Sequence, residues 1–368
     1  MRLESVQELK RALLTHVIAP FTEGVNKLRR AGARAVVTAA AAVEASPNDV
    51  VFGIGARPFD TLPEVQRSIA LGVAPHEGGE YRLAVRVQRP ALLRSPVMEH
   101  VMREAKGEID VRVVGRIDKR ARARRATARQ AVAAPWYQRD TRPLLIGASV
   151  GHFRVTAGTI SAFVRRGTGT YLLSNNHVLA NEDRARTGDW ILQRAAFDGG
   201  TQPAQRVARL RFWVRLKTTG ANLVDCALAQ IEKGIAYDAS LLRGISSGTD
   251  KRLAGVGPAF VDQGTLVYKI GRTTGATEGR VTAFELDNVV VNYDVGNLRF
   301  DGQVEIEGTG RHAFSDGGDS GSLIVNGKMQ AVALLFAGGD TGGTNGLGLT
   351  FANPIGAVLK ALNATLLF

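Results

Sequence analysis

The chain opens with apolar residues three or four positions apart, namely Leu3, Val6, Leu9, Leu13 and Val17. On a helix of 3.6 residues per turn, this spacing lines up a single apolar stripe. An alanine-rich stretch at Ala35–Ala45 predicts a second helix. The pattern therefore predicts a helical N-terminal segment over residues 1–48.

The pattern of apolar and polar positions changes over residues 49–118. An apolar run and two alternating runs predict strands, and they are Val50–Ile54, Tyr81–Gln88 and Ile109–Ile117. Between the alternating runs, Ser95-Pro96 has the residue types that begin a helix, since proline suits the first helical turn. Strands around one helix indicate a small α+β unit.

From residue 142 onward the chain alternates short apolar runs with glycine. The predicted strands are Gly158–Val164, Tyr171–Ser174, Val207–Leu216, Val224–Ile231, Thr265–Ile270, Glu278–Glu285, Val289–Tyr293, Ser322–Val325, Gln330–Leu335 and Leu347–Ala352. Many short strands at this spacing are typical of antiparallel barrels or a sandwich. A last helix is predicted at Pro354–Leu366. We expect a mainly β domain over residues 142–368.

Basic residues are concentrated between these regions, although the formal charge of the whole chain is +13. The run without an intervening acid is Lys119, Arg120, Arg122, Arg124, Arg125 and Arg129. Such a run could bind nucleic acid or an anionic membrane surface through phosphate groups. No aromatic residue lies within it to stack on bases. We therefore favour a solvated basic linker over residues 119–141.

Cys226 is the single cysteine, so the fold has no intrachain disulfide. Charged residues interrupt the apolar positions of the first nineteen residues, which excludes an unbroken signal-peptide core there. The roughly 18 consecutive apolar residues of a spanning helix are found nowhere. These features predict a cytoplasmic protein without a transmembrane segment.

The strongest chemical signal is the segment Gly317–Ser322, with the order Gly-Gly-Asp-Ser-Gly-Ser just before an apolar strand. A serine hydroxyl becomes a nucleophile when a base takes its proton and backbone donors receive the oxyanion. Gly318 allows the chain to turn so that its N–H and that of Ser320 point at one position. The alternative is an ordinary glycine-rich turn, as at Gly338-Gly339-Asp340.

His177 follows the predicted strand Tyr171–Ser174 and a polar pair, Asn175-Asn176. Histidine is the usual general base near neutral pH, and the end of a strand is a suitable position for one. Asp225 lies in the otherwise apolar predicted strand Val224–Ile231. A carboxylate buried there needs a partner, and an imidazole N–H would be one. A structural histidine and a surface aspartate are the alternatives.

The chain order His177, Asp225, Ser320 resembles that of the chymotrypsin/trypsin family of serine peptidases, whereas other triad families use different orders. The segments 174–180, 269–275 and 317–322 are similar to those of cysteine-poor bacterial trypsin-like peptidases and plant narrow-leaf-type proteins. The resemblance implies two six-stranded antiparallel β-barrels with the triad in the cleft between them. It also implies peptide hydrolysis through an acyl-enzyme, with the Gly318 and Ser320 amides forming the oxyanion hole.

The substrate pocket is expected at Phe314, Asp316, Phe336 and Gly338. Phe314 stands six residues before the serine, where trypsin-like specificity places an acid. A pocket of this composition favours a modest apolar residue, while Asp316 leaves basic substrates open. The chain has no Ile-Val-Gly-Gly-like start before the first predicted barrel, so we expect Asp319 to stabilise its own turn instead of binding a freed N-terminus.

The leading hypothesis is a serine endopeptidase that acts on a protein or peptide substrate. The rival is a non-enzymatic scaffold or binding module built on the peptidase fold, with an anionic partner bound by the N-terminal region. A homo-oligomer is compatible with either. No cofactor is expected, and no metal-ligand cluster stands out. Arg272 follows a strand without a phosphate-loop pattern, which favours a structural turn.

Overall fold

The computed structural model describes residues 1–20, 68–119, 134–258 and 265–368. Its α-helices are α1 (Leu3–Leu13), α2 (Pro96–Glu104), α3 (Asn176–Leu179) and α4 (Ile355–Leu362). The helix predicted at Ala35–Ala45, the run Val50–Ile54 and the basic residues after Lys119 lie outside the described residues.

Twenty-five strands are found in the described residues. In chain order they are β1 (Ile69–Pro75), β2 (Tyr81–Val87), β3 (Ile109–Val113), β4 (Asp118–Lys119), β5 (Leu144–Leu145), β6 (Ser149–His152), β7 (Gly158–Thr159), β8 (Ala162–Arg166), β9 (Gly169–Ser174), β10 (Trp190–Leu192), β11 (Arg206–Trp213), β12 (Ala221–Asn222), β13 (Ala227–Ile231), β14 (Tyr237–Asp238), β15 (Leu241–Ser246), β16 (Thr249–Arg252), β17 (Leu266–Gly271), β18 (Gly275–Asp287), β19 (Val289–Tyr293), β20 (Gly296–Phe300), β21 (Gln303–Gly308), β22 (Leu323–Asn326), β23 (Ala331–Gly339), β24 (Leu349–Pro354) and β25 (Thr365–Leu366).

Six of these strands close into an antiparallel barrel in the C-terminal part. The ring runs β17-β18-β21-β24-β23-β22 and returns to β17, with every neighbouring pair antiparallel. Apolar side chains fill it, among them Val267, Ile306 and Leu335, all fully buried. Closure leaves no free edge inside the ring, because each of the six strands is paired on both sides.

The preceding part forms the second antiparallel ring, β6-β10-β11-β13-β9 and the segment 158–166, which contains β7 and β8. Ile160 joins the two halves of that segment and exchanges backbone hydrogen bonds with Gly147 and Ala148. Phe163, Leu172 and Leu228 are fully buried in its core. The prediction of a mainly β fold with a double-barrel arrangement is confirmed.

The N-terminal extension adds three strands to the C-terminal barrel. β1 pairs antiparallel with β18, and β2 and β3 continue the sheet outward. The predicted start of α2 is present, because the Met98 N–H donates to Ser95 Oγ (3.2 Å) and Pro96 opens the helix. Arg86, fully buried, donates to both carboxylate oxygens of Glu305 in β21, at 2.6 and 2.8 Å. The extension is therefore bonded directly to the barrel.

Three details differ from the sequence expectation. The last helix ends at Leu362, because Asn363 takes a left-handed conformation (φ 46°) and β25 follows. Asp225 precedes β13 instead of lying within it. Lys119, the first residue of the expected linker, is paired in β4 between β19 and β23. The domain boundaries proposed from the sequence remain predictions.

Candidate active site

His177 lies at the end of β9, on the short helix α3, and is buried. Its Nδ1 makes a close hydrogen bond to Oδ2 of Asp225, and its backbone N–H donates to Oδ1 at 3.3 Å. Both carboxylate oxygens therefore contact the same residue. This arrangement holds Nδ1 as the protonated ring nitrogen and leaves Nε2 as the basic one.

The backbone of Asp225 is held by two asparagine side chains. Asn175 donates its amide to the Asp225 carbonyl (2.8 Å), and the Asp225 N–H donates to Oδ1 of Asn353 (2.9 Å). Asn353 belongs to β24 in the other barrel, where its amide donates to Gln303 at 2.6 Å. These two hydrogen bonds fix the backbone of Asp225 between the barrels, independently of the contacts that its carboxylate makes.

A second side chain donates to the Asp225 carboxylate. The hydroxyl of Tyr293, at the end of β19, lies 2.6 Å from Oδ2. Burial alone would raise the pKa of Asp225, but the neighbouring His177 and the hydrogen bonds to the carboxylate lower it below its ordinary value. Burial and the nearby Asp225 charge raise the pKa of the Tyr293 phenol well above its ordinary value. The carboxylate is accordingly ionised, and Tyr293 is its neutral donor.

Ser320 lies in a tight turn that depends on glycine. Gly318 has a φ of 99°, and a Cβ there would stand 2.4 Å from Thr273 Oγ1. Gly321 has a φ of 92°, and a Cβ there would meet Thr159 O at 2.3 Å. In the described part of the chain, neither the Gly318 nor the Ser320 N–H has an acceptor. Two free donors on one turn are what an oxyanion hole requires.

Asp319 holds this turn from inside. Its carboxylate accepts the N–H groups of Thr273 (2.8 Å) and Asp316 (3.0 Å) and lies 3.3 Å from Lys269 Nζ, with both side chains fully buried. Although burial would raise the pKa of Asp319, Lys269 and the hydrogen bonds lower it. The pKa of Lys269 is also lowered, because loss of solvent outweighs the attraction of Asp319.

The nucleophile turn and the histidine are not hydrogen-bonded to each other in this conformation. The Ser320 hydroxyl has one long contact, 3.5 Å to the carbonyl of Phe336 in β23. His177 Nε2 is buried and has no hydrogen-bond partner among the described residues. Ser320 is fully buried and His177 is 2% exposed. A substrate therefore cannot reach the hydroxyl without some rearrangement.

The short strand β4 covers the sheet edge beside Ser320. Lys119 pairs antiparallel with Ala337, and Asp118 pairs with Gly338, directly after the Phe336 carbonyl that contacts Ser320. Lys119 Nζ binds the buried carboxylate of Glu182 closely and lies 2.9 Å from Asp294. An extended peptide would use such an edge to add a strand, and here the protein's own chain occupies it.

A cavity of about 600 Å³ adjoins this strand, and its lining includes Arg116, Lys119, His177, Asn181, Asp316 and Gly317. Among the residues expected in the substrate pocket, Asp316 lines this cavity. Phe314 packs inside the C-terminal barrel, and the Phe336 ring lies tilted against Phe300 in a neighbouring core, with the ring centroids 4.7 Å apart. Gly338 is paired with β4. The pocket residues are therefore not assembled around one opening in this conformation.

Three residues of the site were missed by the sequence interpretation. Tyr293, Asn353 and Lys269 each come from the C-terminal barrel region and act on residues far away along the chain. Lys269 stands in the segment 269–275 that was noted for its resemblance, so a lysine inside an apolar strand was the available signal. Nothing in the sequence around Tyr293 or Asn353 distinguishes them from other strand residues.

Among the described residues, no group of three or more His, Cys, Asp and Glu side chains is placed to hold a metal ion. No described helix is long and apolar enough to cross a membrane.

No protein-family model matches the chain, and no curated protein matches its sequence. Solved structures of bacterial serine proteases are similar to it. Thermobifida fusca protease A is 20% identical with a TM-score of 0.43, covering 61% of this chain and 98% of that one. Cellulomonas bogoriensis chymotrypsin is 20% identical with a TM-score of 0.42 over the same shares. Nocardiopsis protease is 17% identical with a TM-score of 0.44, covering 61% and 99%. The similarity to plant narrow-leaf-type proteins stays a prediction.

Proposed function

We propose that the chain is a serine endopeptidase with Ser320 as nucleophile, His177 as general base and Asp225 as the carboxylate that orients it. The observation that carries the proposal is the buried pair between His177 Nδ1 and Asp225, because it leaves Nε2 basic, buried and without a hydrogen-bond partner among the described residues. A structural histidine in such a position would be expected to use both ring nitrogens.

In the proposed reaction, Ser320 Oγ attacks the carbonyl carbon of a peptide bond while Nε2 of His177 takes its proton. The Gly318 and Ser320 N–H groups donate to the resulting oxyanion. The same Nε2 then gives this proton to the leaving amine as the peptide C–N bond breaks. In the second half of the reaction, Nε2 takes a proton from water as the water oxygen attacks the acyl carbon, and it returns the proton to Ser320 Oγ as the ester bond breaks. Asp225 stays ionised throughout and stabilises the imidazolium, which agrees with its lowered pKa.

The proposal requires a conformation in which Nε2 and the Ser320 hydroxyl meet. Catalytic hydrogen bonds are often long before substrate binds and shorten in the Michaelis complex. Displacement of β4 from the edge of β23 would uncover the side of Ser320 that a substrate needs. We therefore expect a low rate for the wild-type chain and a higher one when β4 is loosened.

The test is covalent labelling by a fluorophosphonate, combined with cleavage profiling on a peptide library. We compare the wild type with Ser320→Ala and with Ser161→Ala, a matched control whose buried hydroxyl has no hydrogen-bond partner in the described part of the chain. The charge-reversed variant Lys119→Glu is included to loosen β4. We expect labelling of the wild type and of Ser161→Ala, stronger labelling of Lys119→Glu, and none of Ser320→Ala.

Thermal melts first establish that all four proteins are folded. The proposal would be overturned if neither the wild type nor Lys119→Glu showed labelling that depends on Ser320. That result would favour a non-enzymatic binding module on the same fold. A cleavage profile with a defined residue before the scissile bond would also identify the pocket, for which Phe314, Asp316, Phe336 and Gly338 remain the proposed residues. Residence in the cytoplasm is likewise a prediction from the sequence.

A further inference from the structure

Among the described residues, Tyr293 is the only residue other than His177 that donates a hydrogen bond to the Asp225 carboxylate. Its hydroxyl lies 2.6 Å from Oδ2, the same oxygen that accepts His177 Nδ1. The phenol ring also meets the imidazole edge to face, with centroids 5.8 Å apart and planes at 81°. One side chain therefore contacts both members of the pair.

We infer that Tyr293 is a positioning residue of the active site, which holds the Asp225 carboxylate against His177 and sets how strongly that carboxylate stabilises the imidazolium. The inference rests on the proposed function and extends it to a residue outside the triad. Tyr293 does not touch the Ser320 hydroxyl or the cavity, so it acts through Asp225.

The surroundings of Tyr293 fix the hydroxyl in place. The residue is 3% exposed, and its ring stacks 5.9 Å from Phe300, which in turn packs on Phe336. β19 reaches the barrel through β4, since Asn292 pairs with Asp118 and its N–H donates to the Ile117 carbonyl at 2.9 Å. The hydroxyl is thus presented by a strand that is held on both sides.

The charged and titratable groups that face Tyr293 are Asp225, His177, Glu182, Lys119 and Asp294, the residue that follows Tyr293 in the chain. Glu182 and Lys119 bind each other, and Lys119 Nζ lies 5.9 Å from the phenol centroid. Their charges offset, which leaves Asp225 as the carboxylate that the hydroxyl stabilises.

Electrostatics predicts the direction in which loss of the Tyr293 hydroxyl would shift the pH profile of activity. A hydrogen bond to a carboxylate spreads its charge, so the carboxylate stabilises a neighbouring imidazolium less. Without the hydroxyl, Asp225 would attract the imidazolium more strongly. The base form needed for catalysis would then be lost at a higher pH, and the acid limb of the kcat/KM profile would move upward.

The experiment compares pH profiles of kcat/KM for the wild type, Tyr293→Phe and the control Tyr171→Phe. The control removes a hydroxyl from β9, in the barrel that precedes the C-terminal one, away from the site. For Tyr293→Phe we expect an upward shift of the acid limb by about half a pH unit. Because the carboxylate is no longer held in position, we also expect kcat to fall roughly ten- to a hundredfold, as for one lost hydrogen bond to a charged group, with KM unchanged. Tyr171→Phe should leave the profile in place.

Replacement of Tyr293 by 3-fluorotyrosine supplies a second variant of nearly the same shape, in case the phenylalanine variant folds poorly. Because fluorine makes the phenol a stronger donor, the acid limb should move the other way, to lower pH. An unchanged limb in both variants of an active enzyme would overturn the inference and leave the proposed function standing. A wild type without Ser320-dependent activity would overturn the proposed function, and the inference with it.

Discussion

Replacement of Lys269 by methionine tests how the nucleophile turn is held. The change keeps the length of the side chain and removes the ammonium that lies 3.3 Å from Asp319, where both side chains are fully buried. Breaking a buried ion pair from one side typically costs about 3–5 kcal/mol of unfolding free energy. Thr273, Thr274 and Asp316 still donate to Asp319, so we expect the lower end, about 3 kcal/mol.

The assay is urea unfolding of the wild type and Lys269→Met between pH 3 and 8. Because the folded pKa of Asp319 is lowered, its stabilisation is present above the ordinary carboxyl pKa and is lost as the pH falls through the folded value. Removal of Lys269 raises the pKa of Asp319, so the variant should lose this contribution at a higher pH. The stability gap should therefore be largest near neutral pH and shrink in acid.

Two further variants separate charge from packing. Lys269→Met/Asp319→Asn removes the stranded carboxylate and should be more stable than Lys269→Met alone. Lys10→Met breaks a pair with Glu285 and Asp287, whose side chains are 30% and 25% exposed and remain hydrated, so it should cost about 1 kcal/mol or less. A loss below about 1 kcal/mol for Lys269→Met, or a gap that does not depend on pH, would refute the reasoning.

The remaining predictions concern the triad, the extension and β4. Asp225→Asn should lower kcat about 10⁴-fold, because the amide favours the wrong imidazole tautomer, and near-wild-type turnover would show that another acid orients His177. Arg86→Met should cost about 3–5 kcal/mol in urea unfolding by stranding the fully buried Glu305 carboxylate, and a smaller loss would mean that the carboxylate finds other partners. Lys119→Glu should speed fluorophosphonate labelling of Ser320 by placing a third carboxylate beside Glu182 and Asp294, whereas a rate equal to that of the wild type would show that β4 does not limit access.

Local patterns were sufficient to predict the barrels, and they also suggested the three candidate residues of the proposed triad. Alternating apolar positions predict a strand and its buried face, and β9, β17, β19 and β22 all appear near the predicted positions. The glycine pattern around Ser320 predicts a turn because only glycine adopts the φ values found at 318 and 321. Asp225 was recognised from its apolar neighbours and lies inside the strand that these neighbours predicted, although the observed strand β13 begins two residues later, at Ala227.

Partners in space were not predictable by the same reasoning. Periodicity gives the face of a strand that is buried, and it does not give the strand opposite. Tyr293 is 68 residues from Asp225, Lys119 is 63 residues from Glu182, and Arg86 is 219 residues from Glu305. Each pair depends on strand order in the folded sheet. A basic residue at the start of an arginine-rich run therefore predicted a solvated linker, whereas the structure pairs the half-buried Lys119 with two acids.

The position of β4 connects the extension to the candidate site through one shared core. Val114 and Ile117, which lead from β3 into β4, are buried in the same cluster as Tyr293, Phe300 and Phe336. Burial of an aliphatic side chain of this size contributes roughly 1.5–3 kcal/mol, so β4 is held by its neighbours in sequence as well as by Lys119. A change at Lys119 alone would thus loosen the pairing of β4 with β23 while leaving this core in place. The same strand supports β19, so the N-terminal extension bears both on access to Ser320 and on the hydroxyl that faces Asp225.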